Sequence, residues 1–442
     1  MQFFHELGSL VEQSWRDEDY CEEVFPELAE QAMTKLIPYG QVDPWEIIRW
    51  VNTTTQLPEQ QDVAGRFGNP PITLFNGPRF YIDVYYWLDG STSIHQHAFC
   101  GAFHVLLGSS LHSKYSFDEK QKINAHFSVG RIRLNSVELL KEGDTRQILP
   151  GKGYIHSLFH LDRPSVSVTI RSSSTPDASP QYDYHKPYLA RNAFYESPVT
   201  IKRVQCAELL LSMKHPKADE FIAELLSRAD FQTTFAIIRV TRNHLTNDVV
   251  ERTFGVARGQ ERFDALLDIA RRRHGDLVDV ILPVIDELQR QQNIYLRRGQ
   301  ITSNEHRFFL ALLLNVPDRK LVLDLVKRRF PGNDPVDTVI NWVEELAATR
   351  PLGGAEKNVL GIDDLDDDYL FVFQCMLEGL SSDEIKEAAS REFPAEELRR
   401  LESRVEELYH SIRQSLLFKS LFFDSSGVAE QGVMVGAGRE TT

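Results

Sequence analysis

The sequence predicts an α+β multidomain chain: a central β-barrel or sandwich, with helices before it and an all-α domain after it. Three successive textures predict it. Helical patterning fills about the first 60 residues. From Pro71 to Ser172 the chain turns into short aromatic or β-branched runs, partly alternating and punctuated by Gly, Pro, Asp and Asn. From Thr200 to Lys419 helical patterning returns. The expected divisions are a helical segment over 1–65, a β-barrel domain over 66–190, a helical domain over 200–420 and a disordered tail over 421–442.

In the first segment, "DPWEIIRWV" offers Asp43 as N-cap, Pro44 at the first helical position and Glu46 three residues after the cap. That is a capping-box pattern leading into an apolar stripe through Ile47, Ile48 and Val51. In the second, "RFYIDVYYWL", "AFHVLLG", "KYSF", "RIRLNSVELL" and "SVSVTIR" predict strands. The stretch from Ser172 to Pro187, rich in Ser, Pro and Asp, predicts a loop or linker. In the third, "DRKLVLDLVKRRF" places Leu321, Leu325 and Val326 on one face. "DPVDTVINWVEEL" repeats the Asp-Pro start with Asp334 as cap, and an amphipathic helix runs through "FPAEELRRLESRVEELYHSIRQSLLF". Short turns between these helices predict a bundle or a helical array.

Composition narrows the function. The 442 residues are 42% apolar and 26% charged, with a net charge of −15. A broad nucleic-acid surface does not suit that charge. Cys21, Cys100, Cys206 and Cys375 are far apart and form no CxxC, so neither a disulfide framework nor a cysteine zinc site is expected. A reducing, cytoplasmic setting fits them. The start of the chain has no basic region followed by an apolar core, so no signal peptide is expected. The longest apolar run, Phe308 to Val316, is well short of the roughly 20 residues that cross a bilayer.

The chemistry concentrates in "SIHQHAFCGAF", Ser93 to Phe103. Residues two apart in a strand face the same way, so His95 and His97 share one side. Two imidazoles supply two neighbouring metal positions, and a site needs at least one more. "GDTRQILPGKGYIHSLFH" offers His156, carried on a strand after a Pro-Gly turn.

These segments resemble the two cupin motifs. The first reads Gly90, four residues, His95-x-His97, three residues, Gly101 and then Gly108; the second reads Gly143, Pro150, Gly153, His156 and His160. The resemblance covers about a quarter of the chain. It implies a six- to eight-stranded jelly roll with one divalent metal on His95, His97 and His156. Many cupins add a glutamate ligand where this chain has Gly101 or Ala102, and no carboxylate occurs from Ala98 to Ser116. Three neutral ligands leave a 2+ ion uncompensated, which attracts a thiolate or carboxylate into its open positions.

Among cupins, that loss resembles the cysteine and related thiol dioxygenases. "FYIDVYYWLDGSTSIHQH" and "HSLFHLDRPSVSVTIRSSS" carry the likeness further. The resemblance implies iron(II), with zinc, nickel, manganese or copper as alternatives, and a small anionic substrate used with dioxygen. It breaks at that group's Ser-x-His-x-Tyr run, which reads Ser167-x-Thr169-x-Arg171 here. The upstream substrate-binding arginine has no clear counterpart, Arg79 being a positional match alone.

Two further residues are candidates for the reaction. Arg171 points inward if it alternates with Ile170, where it would hold a substrate carboxylate through its fork; otherwise it sits in an ion pair at the barrel mouth. His160 takes the place of the second motif's asparagine, and would either orient the ligand shell by hydrogen bonding or pack. His104 faces inward if Ala102 holds the glutamate position, and Tyr182, Tyr184 and His185 form either a lid or a linker. The function expected is a non-haem iron dioxygenase acting on a small thiol or amino-acid-like anion. The alternative is a non-catalytic, metal-dependent sensor. In either, the helical domain packs on the barrel, forms a homodimer or binds a protein partner. No nucleic-acid or membrane partner is expected.

Overall fold

The computed structural model describes the chain apart from residues 66, 174–179, 247–257, 352–357, 363–364, 423–433 and 436–442. It is the predicted architecture: a β-barrel between N-terminal helices and a C-terminal helical domain.

Three helices lead in: α1 (Gln2–Asp17), α2 (Phe25–Lys35) and α3 (Pro44–Thr53). Asp43 caps α3 by accepting from the Trp45 amide at 2.9 Å, whereas Glu46 pairs with Arg49 instead of closing a capping box. Ile47 is buried, and Ile48 and Val51 are partly buried.

Eleven strands follow. β1 (Pro71–Asn76), β2 (Phe80–Trp87), β4 (Gly101–Leu107), β7 (Thr145–Ile148) and β9 (Ser165–Ser172) form one antiparallel sheet in the order β1-β2-β9-β4-β7. The second sheet holds β3 (Ile94–His95), β5 (Ser110–Asn124), β6 (Phe127–Leu140), β8 (Ile155–His160), β10 (Tyr182–His185) and β11 (Leu189–Asn192). Its order is β11-β10-β3-β8-β5-β6, and β11 also pairs with β6, so these six antiparallel strands close on themselves. The end of the stretch expected as linker, Tyr182–His185, is therefore a barrel strand. Turn-rich composition masked a four-residue strand whose tyrosines pack in an apolar cluster with Ile94, Tyr115 and Ile155.

Strand alternation sorts the side chains. On β2, Ile82, Val84 and Tyr86 join Ala102, Leu106, Val168 and Ile170 in packing against Phe4, Leu7 and Trp15 of α1. The alternate residues of these strands face the barrel interior. His104 shares the helix-facing side: Nδ1 bonds the Thr145 hydroxyl at 2.8 Å and Nε2 accepts from the Tyr39 amide at 3.3 Å. It therefore lies outside the metal-bearing interior.

The helical half begins with α4 (Pro198–Ser212), α5 (Ala218–Arg228), α6 (Phe231–Leu245), α7 (Arg258–His274) and α8 (Ile281–Arg298). Their core includes Phe127, Val129 and Leu189 of the barrel. Next come α9 (Asn304–Asn315), α10 (Arg319–Arg329), α11 (Pro335–Ala348), α12 (Asp367–Glu378), α13 (Ser382–Glu392) and α14 (Ala395–Gln414). The apolar run Phe308–Val316 is buried throughout and packs with Leu111, Val137, Phe159 and Leu161 on the outer face of the second sheet. On α10 the buried residues are Val322, Leu325 and Val326, with Leu321 at the margin. Asp334 caps α11 through the Val336 and Asp337 amides. Among the described residues, no helix is long and apolar enough to cross a membrane. Of the tail expected over 421–442, Leu421 and Phe422 instead pack into the helical core, Met434–Val435 run parallel to Ser136–Val137, and the rest lies outside the described residues.

Two buried arginines fasten the helical half to the barrel. Arg298 donates to the carbonyl oxygens of Gly90 and His160, and to the Ser91 hydroxyl at 2.5 Å. Arg307 pairs with Asp89 at 3.0 Å. Both hold the turn that leads into His95.

Burial pushes the His104 pKa down from 6.5 to about 4. Above pH 6.5 the ring is neutral folded or unfolded, and stability is complete. As pH falls from 6.5 toward 4, the unfolded chain takes a proton that the folded chain refuses, so stability is lost. Urea denaturation at pH 7.5 and pH 5 should show His104→Gln losing less stability on acidification than the parent, by about 1–2 kcal/mol. Equal losses would show that His104 is not a source of the acid sensitivity.

Candidate metal centre

β3 and β8 set the site. His95 lies directly opposite His156 across that antiparallel pair. His97 follows two residues on and bridges Pro150, while the Gly151 amide donates to the His97 carbonyl at 2.8 Å. The Pro-Gly turn therefore ties the end of the first motif to the start of the second. One nitrogen from each of His95, His97 and His156 lies within 4.8 Å of the others, and all three residues are buried.

The rings are oriented unequally. His95 Nδ1 is 2.8 Å from the Ser93 carbonyl, which can only accept, so Nδ1 carries the proton and Nε2 offers its lone pair. His156 Nδ1 is 3.0 Å from His112 Nε2, and His112 Nδ1 is 2.9 Å from Glu138 Oε1. His97 Nδ1 is buried without a hydrogen-bond partner. The Nε2 atoms of His97 and His156 face each other at 2.9 Å.

Electrostatics favour neutral ligands. Burial pushes the pKa of His95 down, and those of His97 and His156 well below the ordinary value. For His112, burial outweighs the adjacent Glu138 carboxylate. Glu138 is pushed up by burial, but hydrogen bonds from His112 and Arg146 outweigh this and hold it well below the usual carboxylate range.

The donor set fits a divalent transition metal. Neutral imidazole is a preferred ligand of zinc, copper, iron and nickel. The Nε2 atoms of His97 and His156, 2.9 Å apart, are near enough for one ion to take both. The cluster, in a closed six-stranded barrel, can thus coordinate a metal ion.

The absence of a carboxylate from this shell has a steric basis. A Cβ on Gly101 would stand 1.9 Å from the Ile170 carbonyl oxygen. Ala102 is buried among the N-terminal helix contacts instead. Gly101 cannot present a glutamate to the site without moving β4 from β9, and Ala102 faces the N-terminal helices.

The other sequence candidates separate in space. Arg171 lies opposite Gly101 and Tyr81 on β9, with its guanidinium 3.5 Å from the centre of the Phe99 ring. Phe99 in turn lies 4.5 Å from His97, centre to centre. Arg171 Nε is buried without a hydrogen-bond partner, and the Arg171 charge helps depress His97 after burial and His95. His160 sits four residues beyond His156, stacked at 4.7 Å on Trp87, with Nδ1 bonded to Ser110 and Ser165. The ring hydrogen-bonded to His156 is that of His112, not His160. Arg79 lies over Tyr20 at 4.1 Å, on the side of the N-terminal helices. Cys100 is buried beside Ser172.

Sequence reasoning missed His112, Glu138 and Tyr154. A strand signal was present, since His112 alternates with Leu111 and Ser113 on β5. Its relation to His156 depends on the register of β5 with β8, where His112 opposes Leu158 and lies diagonal to His156.

No family description matches the chain, and no curated protein matches it. Similar solved structures include Peruvianin-I, a cysteine peptidase from Thevetia peruviana latex, at 18% identity and a TM-score of 0.18, over 27% of this chain and 69% of that one. The DMSP lyase DddQ from Ruegeria pomeroyi DSS-3 matches at 16% identity and 0.19, over 35% and 75%. A structure from a study of the DMSP lyases RdDddP and RnDddQII matches at 15% and 0.20, over 39% and 96%. Scores this low carry no argument about fold or activity.

The close approach of Gly101 to Ile170 gives a direct test. Gly101→Ala should lose about 1–3 kcal/mol in chemical denaturation, the usual scale of overpacking, and Gly101→Glu more. An unchanged midpoint for Gly101→Ala would mean that β4 can yield and that sterics do not exclude the carboxylate.

Proposed function

We propose that the protein is a metal-dependent cupin oxygenase, a mononuclear non-haem iron(II) dioxygenase acting on a small thiol or amino-acid-like anion. One observation carries this reading: three buried neutral imidazoles converge with no carboxylate among them, and the Arg171 cation stands one aromatic ring from His97. His95, His97 and His156 would hold the ion. Iron(II) would supply the redox chemistry that dioxygen requires, with zinc, nickel, manganese and copper as alternatives for the same donors. A structural zinc is normally closed by four protein ligands, so three leave room for substrate.

The chain's own residues do the rest. Burial keeps the histidines neutral and so available as ligands. Arg171, with Nε lacking a protein acceptor, binds the carboxylate or thiolate and fixes its orientation. The Arg171 guanidinium lies over Phe99 and also near Tyr81, whose ring centre is 5.2 Å away, and these rings limit its freedom. His160 acts from farther off, holding Trp87 and the serines of β5 and β9 in place. The barrel domain, 66–190, carries the reaction in this reading. Free cysteines suit a cytoplasmic setting.

A second reading is a metal-dependent sensor. It draws on Arg298 and Arg307, through which the helical domain grips the Asp89–Ser91 turn ahead of His95. A ligand-induced shift of that turn would pass directly to α8 and α9.

Metal analysis after anaerobic purification should find one iron per chain, lost when His95, His97 and His156 are all replaced by Ala. Oxygen uptake should rise above the metal-free control with at least one member of a panel of thiols and amino acids, and His97→Ala should abolish it. Arg171→Met should raise KM about 10–100-fold, the scale of a lost charged hydrogen bond. Metal content unchanged in the triple variant would reject the site. Iron-loaded protein that binds a ligand yet consumes no oxygen would favour the sensor.

A further inference from the structure

We propose that Glu138, His112 and Arg146 form a positioning relay that fixes the tautomer and direction of His156 toward the metal. This rests on the metal reading of the three histidines and names residues that the cupin motifs do not contain.

The relay runs across three neighbouring strands. His156 on β8 lies diagonal to His112 on β5, and His112 lies directly opposite Glu138 on β6. Arg146 on β7 closes the far end. Its Nε is 3.2 Å from each Glu138 oxygen, and its Nη2 is 2.8 Å from Oε2. Lys114 stands a further 3.8 Å from Oε1.

The donor and acceptor roles admit one consistent order. An ionised carboxylate accepts, so His112 Nδ1 carries the proton and donates to Glu138. In neutral His112, Nε2 is then the acceptor. It faces His156 Nδ1 at 3.0 Å and the Tyr154 hydroxyl at 3.2 Å, both able to donate. His156 Nδ1 therefore carries its proton, and Nε2 is left with the lone pair, aimed at His97 and the cluster. Reversing any member would set two donors or two acceptors face to face.

Each ligand then has a different outer support. His95 is fixed by a backbone carbonyl, His156 by the relay, and His97 by no hydrogen bond at Nδ1. A ligating imidazole commonly gives its other N–H to a carboxylate or carbonyl, and loss of that partner weakens metal binding about 10–100-fold. In this chain an imidazole stands between the ligand and the carboxylate.

The alternative is that these bonds merely hold β5 to β6 and β7. Cobalt(II) separates the two, because its visible absorption reports ligand geometry independently of turnover. Its affinity can be measured by competition with a chelator on the full chain. Parent, Glu138→Gln and His112→Phe would be compared, with His95→Ala as reference and thermal unfolding of each metal-free protein alongside. The relay predicts cobalt binding weakened about 10–100-fold in His112→Phe, less in Glu138→Gln, and a shifted absorption band in both. Metal-free unfolding midpoints should stay near the parent. Unchanged affinity or an unchanged band in a folded variant overturns the relay. If His112→Phe does not fold, Glu138→Gln decides by the same two readouts, since glutamine keeps the shape but removes the acceptor-only carboxylate that holds the proton on His112 Nδ1. Parent protein whose cobalt binding is absent, or indifferent to His95→Ala, would instead overturn the metal reading itself.

Discussion

Burial within the barrel governs the region around the three histidines. Imidazoles taken out of water lose their protons, and each remaining N–H seeks an acceptor. The Ser93 carbonyl and His112 meet that need for His95 and His156. His112 then requires Glu138, and a half-buried Glu138 requires Arg146. The same logic operates away from the cluster, where His160 is buried between Trp87 and two serine hydroxyls. The polar side chains on the inner face thus follow as a series of partners.

Both outer faces of the barrel are covered as well. The N-terminal helices seal the first sheet through Phe4, Leu7 and Trp15, and α9 seals the second through its wholly buried apolar run. Replacing one of the larger buried side chains with Ala would cost about 2–5 kcal/mol, a large share of a domain's net stability of about 5–15 kcal/mol. The helical half is therefore part of what covers the barrel, and its buried Arg298 and Arg307 reach the turn before the first ligands. These contacts give the helices a physical connection to the site whether the protein is enzyme or sensor.

Features encoded by nearby residues were legible in the sequence. Alternation places His95 and His97 together, the Pro-Gly turn places His156 after a strand start, and the Asp-Pro pairs mark α3 and α11. Features encoded by pairing were not. The Tyr182–His185 strand depends on β3 and β11 as neighbours, which overrides its turn-rich surroundings. His112 and Glu138 are 26 residues apart, and His112 and His156 are 44 apart. Their meeting follows from a long hairpin whose register shifts between Lys114 and Tyr115, a detail that local patterning does not carry. Arg79, a positional match alone, packs over Tyr20.

The carboxylate missing from the ligand shell raises the question of where compensating charge comes from. Glu138 is the nearest acidic member of the hydrogen-bonded chain, and at first sight it replaces the lost glutamate at one remove. Its own neighbours argue otherwise. Arg146 lies 2.8 Å away and Lys114 3.8 Å away, so the charge of Glu138 is already balanced, while one imidazole separates it from His156. Coulomb energy falls with distance, and a nearby opposite charge cancels most of what remains. Glu138 can therefore set a tautomer but leaves a 2+ ion largely uncompensated. Gly101 cannot take the role, because Ile170 occupies the space. In the proposed reading the charge would arrive with a ligand, and Arg171, beside Phe99 and His97, would meet that anion. A neutral shell, an internally balanced relay and a cation with a buried orphan N–H all favour an anionic ligand at the same centre.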